Sequence, residues 1–240
     1  MSKQRKVTIK FFLNKALKPQ EALDKDDNVV NLYPLYFQVT YMRKNTQIKS
    51  AYGSYYESIE KVENALLKSE EATIRKIVDY LFMEQGEKFT LKGLGKYYEI
   101  YSLPVYTLLN RHMIQNLQAI ILNCSPQEYA FTLNLFDPEA RFEILFEVAK
   151  RVFDDFEENI SDTFAWKVIV FNEYIKFDVN TLFGYNFHSS IERFDGSLTK
   201  EYKAHLQKVF KYDDNKIDAR LNLITEIIDQ QLNQYNLIGY

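Results

Sequence analysis

Two different periods of apolar residues divide the chain. Near the amino terminus, Val7, Ile9, Phe11 and Leu13 alternate with Thr8, Lys10 and Phe12, and further on Leu35, Phe37, Val39 and Tyr41 alternate with Tyr36, Gln38, Thr40 and Met42. A period of two is that of a strand with one buried face. The polar stretch from Asn14 to Asn31, which contains Pro19 and Asp26-Asp27-Asn28, reads as a long connection. Pro34 falls at the expected start of a strand, where a missing N–H costs no ladder bond. Arg43-Lys44-Asn45-Thr46 predicts a four-residue hairpin turn, with a return strand from Gln47 to Ala51. A lone hairpin is only marginally stable, so the expectation is a small antiparallel sheet of three strands.

From Tyr55 onward the period becomes helical. Ile59, Val62 and Leu66, then Ile74, Ile77 and Leu81, predict one or two helices before Gly86. Pro104 opens a helix whose stripe runs from Val105 through Leu108, Leu109, His112, Met113 and Leu117 to Cys124. Ser125-Pro126-Gln127-Glu128 is a capping box with Pro at the first helical position, and Asp137-Pro138 repeats the device before Phe142. The run from Phe164 to Phe177 is apolar nearly all round, which fits a central buried helix and leaves a strand pair as the alternative. Gly184 to Ser197 reads as a loop, and two helices follow near Thr199–Tyr212 and Asp214–Leu237. The fold class expected is mainly α: a helical body behind a small N-terminal three-stranded antiparallel sheet. The period change near Tyr52-Gly53-Ser54 suggests a sheet module over 1–53 and a helical domain over 54–240. Some fifty residues make a poor core alone, so the sheet should pack on the helix that follows.

Charge sharpens that division. The 240 residues carry a net charge of −3. Residues 1–52 nevertheless hold ten Lys/Arg against four acids, net +6, and the remainder holds 20 against 29, net −9. A basic head on an acidic body indicates where an anionic partner would dock. With only 7 Gly and 5 Pro, a sandwich or barrel of many short strands is disfavoured. The single cysteine, Cys124, forms neither an internal disulfide nor a thiolate metal cage. The most apolar windows, near Ala119–Leu122 and Val168–Phe171, fall well short of a membrane span, and no apolar signal segment follows Met1. A soluble cytoplasmic protein, with no membrane association, is the expectation.

Enzymatic signatures are weak. No Gly-x-Ser-x-Gly elbow occurs. Gly86 and Gly93-Leu94-Gly95-Lys96 have the wrong spacing for a phosphate loop, and Tyr97 stands where Ser or Thr would hold magnesium; a turn between helices explains them better. His112, His188 and His205 lack metal-ligand spacing, and His112 lies on an apolar stripe where a satisfied core histidine is the ordinary case. The cluster Asp154-Asp155 and Glu157-Glu158 reads as a solvated helix face, and Cys124 as an inert thiol. No catalytic, cofactor or metal site is assigned, and the reading leans away from an enzyme. A pocket around His112 with converging carboxylates would reverse that. The last helix carries a heptad-like seam of Ile217, Leu221, Ile224, Ile228, Gln231 and Tyr235; packing within the chain explains it better than a coiled-coil dimer, while a homodimer or a protein partner through 214–237 stays open.

One constellation combines charge, hydrogen-bonding side chains and geometry. If Leu35, Phe37, Val39 and Tyr41 face the core, Tyr36, Gln38 and Thr40 line the opposite face together with Lys10, and Arg43, Lys44 and Lys49 cluster at the hairpin. A thin sheet can enter the DNA major groove, offering Gln and Thr to base edges and Lys and Arg to phosphates. An ordinary exposed face with a lysine-rich edge that deters aggregation is the plainer explanation. The segment Lys6–Leu13, a polar gap, then Tyr33–Tyr41 and a basic turn resembles the arm-type DNA-binding domain that begins tyrosine recombinases (phage-type integrases) of the Bacteroidetes kind. The resemblance covers about fifty residues and implies a sheet that recognises DNA flanking a recombination site, followed by a helical domain. It does not extend to a catalytic domain. His112, His188 and His205 are followed at the third position by Gln115, Ile191 and Lys208, so no His-x-x-Arg element exists, and Tyr235 and Tyr240 lack its arginine apparatus. The expected function is a non-catalytic DNA-binding accessory or regulatory protein of a mobile element. Duplex DNA would be contacted through Gln38, Thr40, Arg43, Lys44 and Lys49, with Lys10 assisting. The alternative is a protein-interaction or scaffold module whose acidic helical body presents Phe and Tyr to a basic partner.

Overall fold

The computed structural model describes residues 7–124, 140–153, 155–178 and 188–237. The expected capping devices at Ser125–Glu128 and Asp137-Pro138 lie outside these residues. The fold is mainly α with a small antiparallel sheet at the N-terminus, as the two periods predict. The chain divides into two compact units, Met1–Leu103 with Gly184–Gly196, and Pro104–Phe183 with Ser197–Tyr240.

In the first unit, strands β1 (Thr8–Leu13) and β4 (Lys44–Lys49) flank the long β3 (Val29–Tyr41), both antiparallel to it. These are the three strands anticipated. Two short strands, β2 (Gln20–Leu23) and β5 (Tyr55–Tyr56), pair with the N-terminal part of β3. The stretch from Asn14 to Asn31 is therefore not a plain connection. It contains a hairpin whose turn closes on Asp24, with Asp24 Oδ1 accepting from the backbone N–H groups of Asp26 (2.8 Å) and Asn28 (2.9 Å). Pro34 sits in the middle of β3 rather than at a strand start. It lies where β3 passes from pairing with β2, which ends at Leu32, to pairing with β1, which begins at Leu35, so its missing N–H coincides with a break between ladders.

Leu35, Phe37 and Val39 are fully buried, and Tyr41 and Ile48 nearly so. They share one core with Leu66, Ile74, Ile77 and Leu81 of helix α1 (Asn64–Gln85) and with Leu94 and Tyr98 of helix α2 (Leu94–Tyr101). The sheet does pack on the following helix, and the unit that holds it continues past residue 53 to residue 103. Glu70, buried on α1, ties the sheet to both helices. Its Oε1 accepts from Ser50 Oγ (2.9 Å), the Ala51 N–H (2.9 Å) and Tyr98 OH (2.5 Å). Gly86 closes α1 at φ 56° and Gly93 opens α2 at φ 80°, both in the left-handed region that glycine tolerates, so these glycines mark helix ends. The segment expected as a loop before Ser197 contains a one-turn helix, Glu192–Asp195, whose Glu192 and Asp195 pair with Lys76 of α1 at 3.0 and 3.4 Å.

The second unit contains α3 (Val105–Cys124), α4 (Phe142–Val152), α5 (Asp162–Asp178), α6 (Ser197–His205, continued by a π-helical turn Leu206–Phe210) and α7 (Asp214–Leu237). The apolar run from Phe164 to Phe177 is thus helical, not a strand pair. Its core carries Leu108, Met113 and Leu117 of α3, Phe142 and Ala149 of α4, Phe171 and Tyr174 of α5, and Ile217, Ile224 and Ile228 of α7. The seam of α7 is used inside this unit: Ile217, Ile224, Ile228 and Gln231 are buried, and Gln231 donates to Gln115 Oε1 of α3 at 3.0 Å. That face packs against the protein's own helices, as the preference for packing within the chain expects.

Candidate nucleic-acid interface

Directly opposed residues of an antiparallel pair share a face, so the register of the three strands fixes what the outer side of the sheet carries. Thr8 pairs with Thr40 and Thr40 with Asn45; Lys10 pairs with Gln38 and Gln38 with Gln47; Phe12 pairs with Tyr36 and Tyr36 with Lys49. Three rows of three side chains result. Thr8, Lys10, Asn45, Gln47 and Lys49 are exposed and Phe12, Tyr36, Gln38 and Thr40 half-buried, while their neighbours Leu35, Phe37 and Val39 face the core. Of the residues singled out in the sequence, Lys10, Gln38, Thr40 and Lys49 therefore meet on one surface. Asn45, Gln47 and Thr8 complete it. Asn45 escapes a sequence reading that places it in the turn, whereas Thr8 and Gln47 reach this face by simple alternation along their strands.

The turn has two residues, not four. Tyr41 pairs with Lys44, leaving Met42 and Arg43 alone at the tip, at φ 48° and 64°. Both positive values match the mirror-image turn that suits the twist of a two-residue hairpin. Arg43 is exposed at the tip. Lys44, opposite Tyr41, falls on the core side of the sheet by register and is exposed beyond the core's edge. It is thus separated from the Gln38 face, contrary to its grouping in the sequence.

Charge along β3 is polarised. The four acids of residues 1–52, Glu21, Asp24, Asp26 and Asp27, all lie on β2 or in its turn, whereas Arg43 and Lys44 lie at the opposite end. Thirteen residues separate those ends along the strand, roughly 40 Å at about 3.4 Å per residue. Backbone N–H groups of Asn28 and Asp26 hold the Asp24 carboxyl below its ordinary range, so that end stays anionic. Among the described residues, no carboxylate stands within ion-pair distance of Lys10, Arg43, Lys44 or Lys49. Lys49 lies over the Tyr55 ring at 5.9 Å and Lys15 over the Tyr33 ring at 5.8 Å, so both cations are held against aromatic faces.

Other candidate residues find structural partners. His112 is buried on α3, with Nε2 3.1 Å from Lys167 Nζ, and Lys167 also donates to Asn116 Oδ1 at 3.2 Å. Burial, then the lysine charge, lower its pKa to about 4. Its hydrogen-bond neighbour is thus a cation, not a set of converging carboxylates. His188 pairs with Glu192 at 2.5 Å, and His205 packs between the rings of Phe177 and Phe210. Glu157 pairs with Lys150 at 3.3 Å on an exposed face, and burial raises the Cys124 thiol above its ordinary value. Arg220 is enclosed, donating to Glu173 at 2.6 and 3.1 Å between the rings of Trp166 and Tyr212. Among the described residues no cluster of three His, Cys, Asp or Glu is placed to hold a metal ion, and no helix is long and apolar enough to cross a membrane.

No family model, curated protein or solved structure matches the chain.

Proposed function

We propose that the outer face of the N-terminal sheet binds duplex DNA and that the protein acts as a non-catalytic DNA-binding factor. The observation that carries this reading is the nine-residue face itself. It offers amides and hydroxyls (Gln38, Gln47, Asn45, Thr8 and Thr40) with Lys10 and Lys49 at its margins, and no described carboxylate pairs with them. Three strands about 4.8 Å apart form a slab about 10 Å wide, which suits a major groove about 12 Å wide. Gln and Asn can pair with adenine edges there, while Lys10, Arg43 and Lys49 would reach phosphates on either side. The expected role in a mobile element follows from the resemblance to recombinase arm domains and is part of the proposal. The alternative, a partner groove lined by aromatic side chains, draws less support. Phe142, Phe156, Phe164, Phe171, Tyr174 and Tyr202 are buried in the second unit.

The test is a salt titration of binding to a labelled random-sequence duplex, followed by fluorescence anisotropy. Three to four phosphate contacts give an expected slope of about −3 to −4 in log affinity against log salt. An Arg43→Ala/Lys49→Ala variant should flatten that slope by about 2. No binding at low salt, or an unchanged slope in the variant, overturns the reading.

A further inference from the structure

The hairpin tip is built at an energetic cost that its sequence could have avoided. Met42 and Arg43 occupy the two central positions of the turn, both at positive φ. Neither is glycine, asparagine or aspartate, the residues that adopt this conformation with least strain. Met42 also carries its thioether side chain 64% exposed at the extreme end of the hairpin. Arg43 and Lys44 stand beside it with no described carboxylate in ion-pair reach. A polarisable, unbranched apolar side chain held outward beside two cations is unfavourable in water and suits a target that is apolar and flanked by anions. A base-pair step between two phosphate backbones has that chemistry.

We propose that Met42 is a wedge that enters an unstacked base-pair step at the end of the sheet's footprint, with Arg43 and Lys44 on the adjoining phosphates. The inference rests on the duplex-binding reading and names the class of duplex preferred: one already loosened by a mismatch or a weakly stacked step. Parting a well-stacked step costs a few kcal/mol, and a mismatch removes part of that cost. The preference should therefore be for the mismatched duplex. A membrane surface is the other target with apolar and anionic character. One feature favours DNA over it: the amide and hydroxyl rows behind the tip, which match base edges.

The experiment measures affinity of the full chain for two duplexes of about 20 base pairs, identical except for one central mismatch, at low salt. The mismatched duplex is expected to bind about tenfold tighter, the equivalent of about 1.4 kcal/mol of avoided unstacking. Met42→Ala should hold matched-duplex affinity within about twofold and bring the ratio of the two affinities to about one, whereas Met42→Leu, still apolar, should keep the preference. Equal binding of both duplexes by the parent protein, or a ratio undiminished in Met42→Ala, overturns the wedge while leaving the sheet's DNA binding intact. Failure to bind either duplex overturns the underlying reading. Binding to phosphatidylserine vesicles that Met42→Ala loses, in a protein with no mismatch preference, would assign the tip to membranes and overturn the proposal.

Discussion

Met42 and Arg43 show how little of the interface geometry one residue type discloses. Nothing in Met-Arg announces a two-residue turn, because the usual signal is Asn-Gly or Asp-Gly, and so the four basic and polar residues Arg43–Thr46 read as the turn instead. That reading puts Asn45 in the turn and Gln47 level with Met42, whereas the two-residue turn brings them level with Thr40 and Gln38. Replacing the tip by the pair that suits it, Met42→Asn with Arg43→Gly, should raise stability by about 1–2 kcal/mol through relief of left-handed strain. A higher urea midpoint with unchanged slope checks this, and the same variant should bind duplex DNA more weakly. His112 gives a second residue-scale prediction. Its folded pKa, near 4, lies below the ordinary value of 6.5. The neutral ring is favoured in the fold, so its contribution to stability is complete above 6.5 and is lost as pH falls through the folded value. An NMR titration should find the His112 ring unprotonated at pH 5.5, and a midpoint near 6.5 would contradict the buried arrangement with Lys167.

At the scale of elements, long periodic stretches were legible and short or weakly patterned ones were not. The stripe from Val105 to Cys124 predicts α3 to its ends, and the heptad-like spacing from Asp214 predicts α7. Strand β2 escaped notice because Gln-Glu-Ala-Leu has neither alternation nor strand-favouring residues; its place is set by pairing with Val29–Leu32 and by the Asp24 turn. Nor does the sequence disclose which group accepts the first N–H of α4. Its first N–H, at Phe142, is satisfied by Asn110 Oδ1 of α3 at 2.8 Å, and Asn110 Nδ2 returns a bond to Ala140 O at 3.0 Å. A cap supplied by a residue thirty-two positions away leaves no local signature. Asn110→Ala strands a buried donor and acceptor together, so it should cost about 1–3 kcal/mol in urea unfolding. Faster amide exchange at Phe142 and Glu143 should accompany the loss, and unchanged protection there would show that the cap contributes nothing.

For the molecule as a whole, net charge is a poor guide and its placement a good one. A value of −3 conceals the +6 of residues 1–52, and within those residues the acids gather at one end of β3 while Arg43 and Lys44 lie at the other. Sequence arithmetic reveals the first separation, and only strand register reveals the second. The boundary expected at residue 53 coincides with a place where the chain is tightly held: Ser50 and Ala51 bond to Glu70 of α1. A change of period marks a change of secondary structure, but shared burial decides where a compact unit ends. The most direct measurement of the central claim is a backbone-amide NMR titration of the full chain with a short duplex. The expected result is that Thr8, Lys10, Gln38, Thr40, Asn45, Gln47 and Lys49 shift together while Asp24–Asn28 and α7 stay in place. Shifts confined to the Asp24 turn or to the helices, with those seven amides unmoved, would contradict it.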